Sequence, residues 1–280
     1  MLIRTMTLDD MDFFVSQCLR ECWAVAPSWL ETHLAHDPDG CFLVEVDGHS
    51  IGMMTTTCYR QTGWMGNRII DSAWRGKGVG TQLLRHGFDY LRGLGIKTIR
   101  VESEETSIRQ CHQLEFEDEL RSPRMLYQGG PPAPGKEVAE LTTDNFGEIA
   151  ALDAEVFGDD RMRFLELMLK MSDGAWKAHR PTGDVCGFIM RLPMMNCLMI
   201  GPCVAEDPET ASDLIRRALQ KVDDKPVVAS IPGTNTAGLE LHRSLGFRFG
   251  GPCLRQRWGP SEIGASKLDN IFALATGAAG

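Results

Sequence analysis

The residues whose types and spacing could do chemistry gather at one joint. Arg75-Gly76-Lys77-Gly78-Val79-Gly80, read RGKGVG, follows an apolar run ending at Ile69 and Ile70 and opens the helically spaced stretch TQLLRHGFDYLRGLG. Glycines there let backbone N–H groups crowd an anion, the helix start adds partial positive charge, and Arg75 and Lys77 add whole charges. Three kinds of site use such a joint: a P-loop, a Rossmann turn and the pyrophosphate loop of an acyl-CoA enzyme. A P-loop needs Gly-Lys followed by Ser or Thr, but Gly78 follows Lys77. A Rossmann turn needs an acidic residue about 20 positions on, closing a strand, whereas Glu102 comes only after a further strand. A plain glycine turn opening a helix is the bland alternative.

The elements that must position this loop follow from the pattern. CFLVEVDG, IGMMTTTCY and GNRIID supply strands, Thr81–Arg92 a helix, and KTIRVES the next strand. The chain then repeats itself at a spacing of roughly 130 residues. MTLDDMDFFVSQ from Met6 resembles LTTDNFGEIAAL from Leu141, DGHSIGMM from Asp47 resembles TGDVCGFIM from Thr182, and HQLEF ending at Phe116 resembles HRSLGF ending at Phe247. Between the copies, QGGPPAPGK (Gln128 to Lys136) reads as a connector. The expected division is a first domain over 1–128, a Gly/Pro linker over 129–136 and a second domain over 137–280. NIFALATGAAG at the far end reads as a last strand with a loose end.

Arg75, Gly78 and Gly80 fill the pattern Arg/Gln-x-x-Gly-x-Gly/Ala, and here the sequence resembles the GNAT superfamily of acetyl-CoA-dependent N-acyltransferases. The resemblance covers most of 1–128 and, more loosely, 137–280. It implies an α/β (α+β) fold class of two tandem domains, each a central mixed, mostly antiparallel sheet flanked by helices. It implies acetyl-CoA as cosubstrate, held by Arg68, Ile69 and Ile70 on the strand and by Arg75, Gly76, Lys77, Gly78, Val79, Gly80 and Thr81. Backbone amides near Arg68 and Ile70 would hold the thioester carbonyl.

The copies decay unevenly. Glu206 to Ala211, EDPETA, falls opposite RGKGVG, so the second copy is expected not to bind coenzyme A. The family's closing text of Asn, a small residue, then Leu-Tyr-x-x-Leu-Gly-Phe survives there as Asn235, Gly238, Leu241, His242, Leu245, Gly246 and Phe247. In the first copy Glu104 stands for the Asn and Cys111 for the Tyr that serves the family as general acid. Cys111 or the adjacent His112 is the candidate acid, or solvent supplies the proton. Glu102 and then Glu104 are the candidate bases, acting through water and sharing a face if the strand persists that far. Trp23, Trp29, His33 and His36 are expected to line the acceptor pocket, with His33-x-x-His36-Asp37 a capped surface turn and no metal expected.

Composition bounds the partners. A net charge of -9 from 29 basic and 38 acidic residues argues against broad attraction to nucleic acid or anionic membrane. No apolar run approaches the ~20 residues of a span. Nine cysteines without a CxxC pair fit a reducing cytoplasm. The expectation is a cytoplasmic N-acetyltransferase, monomeric or homodimeric, acting on a small-molecule or peptide amine. The alternative is a catalytically weak module that binds or senses acyl-CoA or an amine metabolite.

Overall fold

A computed structural model describes residues 1–222 and 225–280. In chain order the first half runs β1 (Leu2–Thr5), α1 (Met11–Arg20), α2 (Pro27–His36), β2 (Cys41–Val46), β3 (His49–Cys58), β4 (Thr62–Ile70), α3 (Val79–Gly93), β5 (Thr98–Ser103), α4 (Glu105–His112), β6 (Glu117–Arg121) and β7 (Arg124–Tyr127). The second runs β8 (Ala139–Glu140), α5 (Phe146–Phe157), α6 (Met162–Met171), β9 (Gly174–His179), β10 (Val185–Pro193), β11 (Leu198–Ala205), α7 (Pro208–Ala218), β12 (Val227–Ser230), α8 (Thr236–Ser244), β13 (Arg248–Gly251), β14 (Leu254–Trp258) and β15 (Ile271–Ala273).

Two sheets result, as the repeat predicts, but each contains a strand from the other half. One has the order β1-β2-β3-β4-β5-β14-β6, the other β13-β7-β12-β11-β10-β9-β8, with β15 against β11. The compact units follow the sheets rather than the expected boundary at 129–136. Unit 1 is Met1–Glu119 with Arg255–Ile263 and Gly277–Gly280; unit 2 is Leu120–Leu254 with Gly264–Thr276.

In unit 1, Asp47 and Gly48 both take positive φ (50° and 76°), the two-residue turn that suits the twist of the β2–β3 hairpin. The strands pair antiparallel until β4, which runs parallel to β5. Alternation gives the sheet one apolar face, where Phe42, Val44, Met54 and Met65 meet Val79, Leu83, Leu84, Phe88 and Leu91 of α3 and Cys111 of α4. Helices α1 and α2 pack against β4 and β3.

Unit 2 repeats the plan. Its α7 lays Ala211, Leu214, Ile215 and Ala218 on Ile189, Ile200 and Cys203, while Asp153 of α5 forms a buried pair with Arg161 at 2.7 Å. The expected loose end is instead ordered: Ala278 and Ala279 are buried in unit 1, where Tyr59 donates its hydroxyl to the Ala279 carbonyl at 2.7 Å. No helix of the described residues is long and apolar enough to cross a membrane.

Candidate active site

The site begins where two parallel strands part. Pairing of β4 with β5 ends at Met65 opposite Val101, while β4 continues to Ile70, so a gap opens along its last residues. A bulge shapes this stretch: the register against β3 shifts between Met53 and Thr55, and Asn67 takes φ 50°. Asn67 is held there by its own amide, which donates to Thr55 Oγ1 at 2.9 Å and lies 3.3 Å from His33 Nε2. Gly66 and Asn67 thus both face the α2 side, against Ala278 and His33, and alternation resumes with Arg68 on the α3 side.

After β4 the chain turns through Asp71 and reaches the glycine loop. Gly76 and Gly78 take φ 75° and 81°, a region that a side chain strongly disfavours, which is the local reason for glycine. The first helical backbone bond runs from Gln82 N to Gly78 O at 3.1 Å. The N–H groups of Val79, Gly80 and Thr81 therefore lack intrahelical acceptors, and no side chain caps this end. Gly80 permits the close approach of α3 to β4: a Cβ there would lie 3.1 Å from the Arg68 guanidinium. The end of β4 and the first turn of α3 are joined directly, since Arg68 donates to the Gly80 carbonyl at 3.2 Å.

The charges of the loop are engaged only at the surface. Arg75 donates from Nε to the Ile70 carbonyl at 2.9 Å and pairs with Glu21, while half of its side chain stays exposed. Lys77 Nζ sits 4.7 Å from the Trp74 ring centroid. Such exposed contacts are weak, so both cations can turn to an incoming anion. Ile69, Ile70 and Val79 are themselves buried, so any part they play is through main-chain groups rather than exposed side chains. This is a donor set that fits a diphosphate: free N–H groups, a helix start and two movable cations.

The proposed acid and base residues are placed less evenly. Cys111 is fully buried among the apolar side chains under α3, with Sγ 3.5 Å from Ser103 Oγ, and burial raises its thiol pKa. His112 is part-exposed and lies 2.7 Å from Asp118. Glu102 is in a buried ion pair with Arg255 at 2.8 Å, both side chains 3% exposed, and Arg255 stacks over Trp64 at 4.7 Å. Strand β5 stops at Ser103, so Glu104 does not share the face of Glu102; it is the N-cap residue of α4. The expected surface turn at His33 is also revised. His33 is fully buried beside Trp29 and Thr57, and burial, with His36 nearby, pushes its pKa down to about 3, so it stays neutral.

Local pattern missed Arg255 and residues 277–280, which reach unit 1 from the far end of the sequence; Gly277 lies against Glu102. The bulge had a signal, the Gly66-Asn67 pair inside a strand pattern.

The matching place in unit 2 is closed. Asp207 caps α7 by accepting from Thr210 N at 2.8 Å, Pro208 has no N–H to offer, and Glu209 adds negative charge. The strands part there too, β11 pairing with β12 only at Leu198 and Met199, but β15 enters the gap. It pairs with β11 through Cys203 and Val204, and Leu274 N donates to Ser230 O of β12 at 2.8 Å. His242, at the family's tyrosine position, is fully buried against the Gly238 carbonyl at 2.8 Å, and burial lowers its pKa to about 4.

The model of the acetyltransferase (GNAT) family matches residues 7–116, and that of an acetyltransferase (GNAT) domain matches 149–261. A solved structure of a proposed acetyltransferase from Pyrococcus horikoshii is 26% identical with a TM-score of 0.86, covering 100% of this chain and 95% of that one. A GCN5-related N-acetyltransferase from Sphaerobacter thermophilus is similar in fold at 15% identity and a TM-score of 0.66, covering 98% of this chain and 96% of that one. So is a tandem GNAT protein from the clavulanic acid biosynthesis pathway, at 13% identity and 0.63, covering 93% and 99%. No curated protein matches the chain in sequence. With both halves matched and the fold shared along its whole length, the chain belongs to the GNAT acetyltransferases, in their tandem two-domain form.

Proposed function

We propose that unit 1 is an acetyl-CoA-dependent N-acetyltransferase that acylates a primary amine of a small molecule or peptide in the cytoplasm, and that unit 2 binds no coenzyme. The observation that carries this reading is the uncapped start of α3 behind two positive-φ glycines, beside a strand pair that parts at Met65 and Val101. Acetyl-CoA supplies an activated acyl group. Main-chain donors at 78–81 hold its diphosphate, and the N–H groups of the bulged stretch around Arg68 and Ile70 orient the thioester carbonyl and stabilise charge on its oxygen. Of the two candidate bases, Glu102 is committed to its buried ion pair with Arg255, and the role passes to Glu104, the N-cap residue of α4, which takes the amine proton through water.

Calorimetric titration with acetyl-CoA and with ATP tests the ligand class. One acetyl-CoA per chain with no ATP binding is expected; a protein that bound only ATP would end the proposal. The burial of Cys111, where the family has its tyrosine, favours a second reading, a sensor that binds acyl-CoA without turnover. Thiol release across an amine panel separates the two.

A further inference from the structure

One charged side chain beside the gap has so far been given no part in the chemical step. Arg68 stands beyond the last residue of β4 that pairs with β5, on the α3 side of the sheet. Its guanidinium reaches the Gly80 carbonyl of α3 at 3.2 Å and the Gln110 side chain of α4. It therefore spans the opening from the strand to both helices. Both partners are neutral, and among the described residues no carboxylate pairs with it. Partial burial lowers its pKa by desolvation.

A half-buried cation with only neutral partners gains when an anion arrives to meet it. Two more deeply buried guanidinia of this unit have such anions already: Arg100 has Glu119 and Arg255 has Glu102. The residue after Gln110 is Cys111, which stands where the family has the tyrosine that protonates the departing thiol, and it points into the core. The guanidinium thus occupies the side of the gap that the missing phenol leaves open.

We propose that Arg68 stabilises the departing thiolate of coenzyme A by its positive charge, in place of a proton donor. This rests on the acetyl-CoA reading of unit 1. As the amine lone pair forms the C–N bond, the C–S bond breaks with its electron pair passing to sulfur. The ammonium proton goes through water to Glu104, and sulfur leaves as a thiolate facing Arg68, to be protonated later by solvent. Arg68 is then a catalytic residue that never gives up its proton.

The test reads the bound thiol directly. Free coenzyme A is titrated against pH on the full chain, following the ultraviolet absorbance of the thiolate, with affinity measured by calorimetry. The thiol bound to the unaltered protein is expected to titrate at least about one pH unit below free coenzyme A. R68K should keep most of that shift, and R68Q should lose it while its kcat falls roughly a hundredfold, with a much smaller change in acetyl-CoA affinity. Q110M, which removes a neutral partner but keeps the charge, should retain the shift, so the idea stays testable if R68Q does not fold.

Coenzyme A that binds with an unshifted thiol, or a shift that survives in R68Q or vanishes in Q110M, overturns the proposal and leaves the acetyl-CoA site standing. No binding at all overturns both. An R68Q protein that selectively loses a succinyl-CoA ligand while the thiol shift stays assigns the cation to an acyl carboxylate instead, and also overturns it.

Discussion

Helices α3 and α7 occupy the same place in their units and begin in opposite chemical states. The first opens with glycine-exposed N–H groups and no cap, beside a parting strand pair; the second opens with a carboxylate cap and a proline, beside a gap filled by β15. The same plan therefore leaves an uncapped helix start beside an open gap in one unit and a capped start beside a filled gap in the other. On the proposed reading, coenzyme binding takes two separate openings, one electrostatic and one steric, and both are closed in unit 2.

The largest effect expected is from the first opening. G78V forces a side chain into φ 81° and is expected to raise the Kd for acetyl-CoA by at least about a hundredfold while circular dichroism and Tm report an intact fold. Retained affinity would break the comparison at its root. Next, the two glutamates of β5 and α4 should part company. E104Q is expected to lower kcat roughly a hundredfold at unchanged stability, whereas E102Q leaves Arg255 buried beside a neutral amide and should cost about 3 kcal/mol in urea unfolding.

Grafting RGKGVG over Glu206–Ala211 sharpens the distinction. Calorimetric stoichiometry should stay at one acetyl-CoA per chain, because β15 still fills the gap; a second site would show that the loop alone decides. Smaller still, D207A removes the cap of α7 and should cost about 1 kcal/mol without altering acetyl-CoA affinity.

Acid should weaken the fold through two histidines. Burial depresses His33 to about 3 and His242 to about 4, against about 6.5 in the unfolded chain. Between those values the unfolded state binds more protons, so stability rises with pH up to about 6.5 and is lost on acidification. Urea unfolding followed from pH 7 to pH 4.5 should show that loss, and H242N should flatten it.

The loop, its helix and the repeat were legible because they are local: glycine φ preferences, helical spacing and strand alternation are written within a few residues of where they act. The decay of the second loop was legible for the same reason, since Asp207 and Pro208 stand inside the helix start they close. What pairs with Glu102 was not. Arg255 lies in a strand of unremarkable pattern, and only the exchange of β7 and β14 brings it to β5. The role of NIFALATGAAG was half visible: a short apolar run reads as a strand, but neither the gap it fills in unit 2 nor the groove its following residues take in unit 1 has a local signature.

The exchanged strand also sets a timetable for synthesis. Sheet order places β14 between β5 and β6, although Arg255 follows Glu102 by 153 positions in the chain. A nascent polypeptide that has emerged as far as the Gly/Pro connector still lacks an interior member of its first sheet, with β5 and β6 exposing unpaired main-chain groups. Such long-range closure is slow, so unit 1 completes its sheet only after the segment carrying Arg255–Ile263 has emerged.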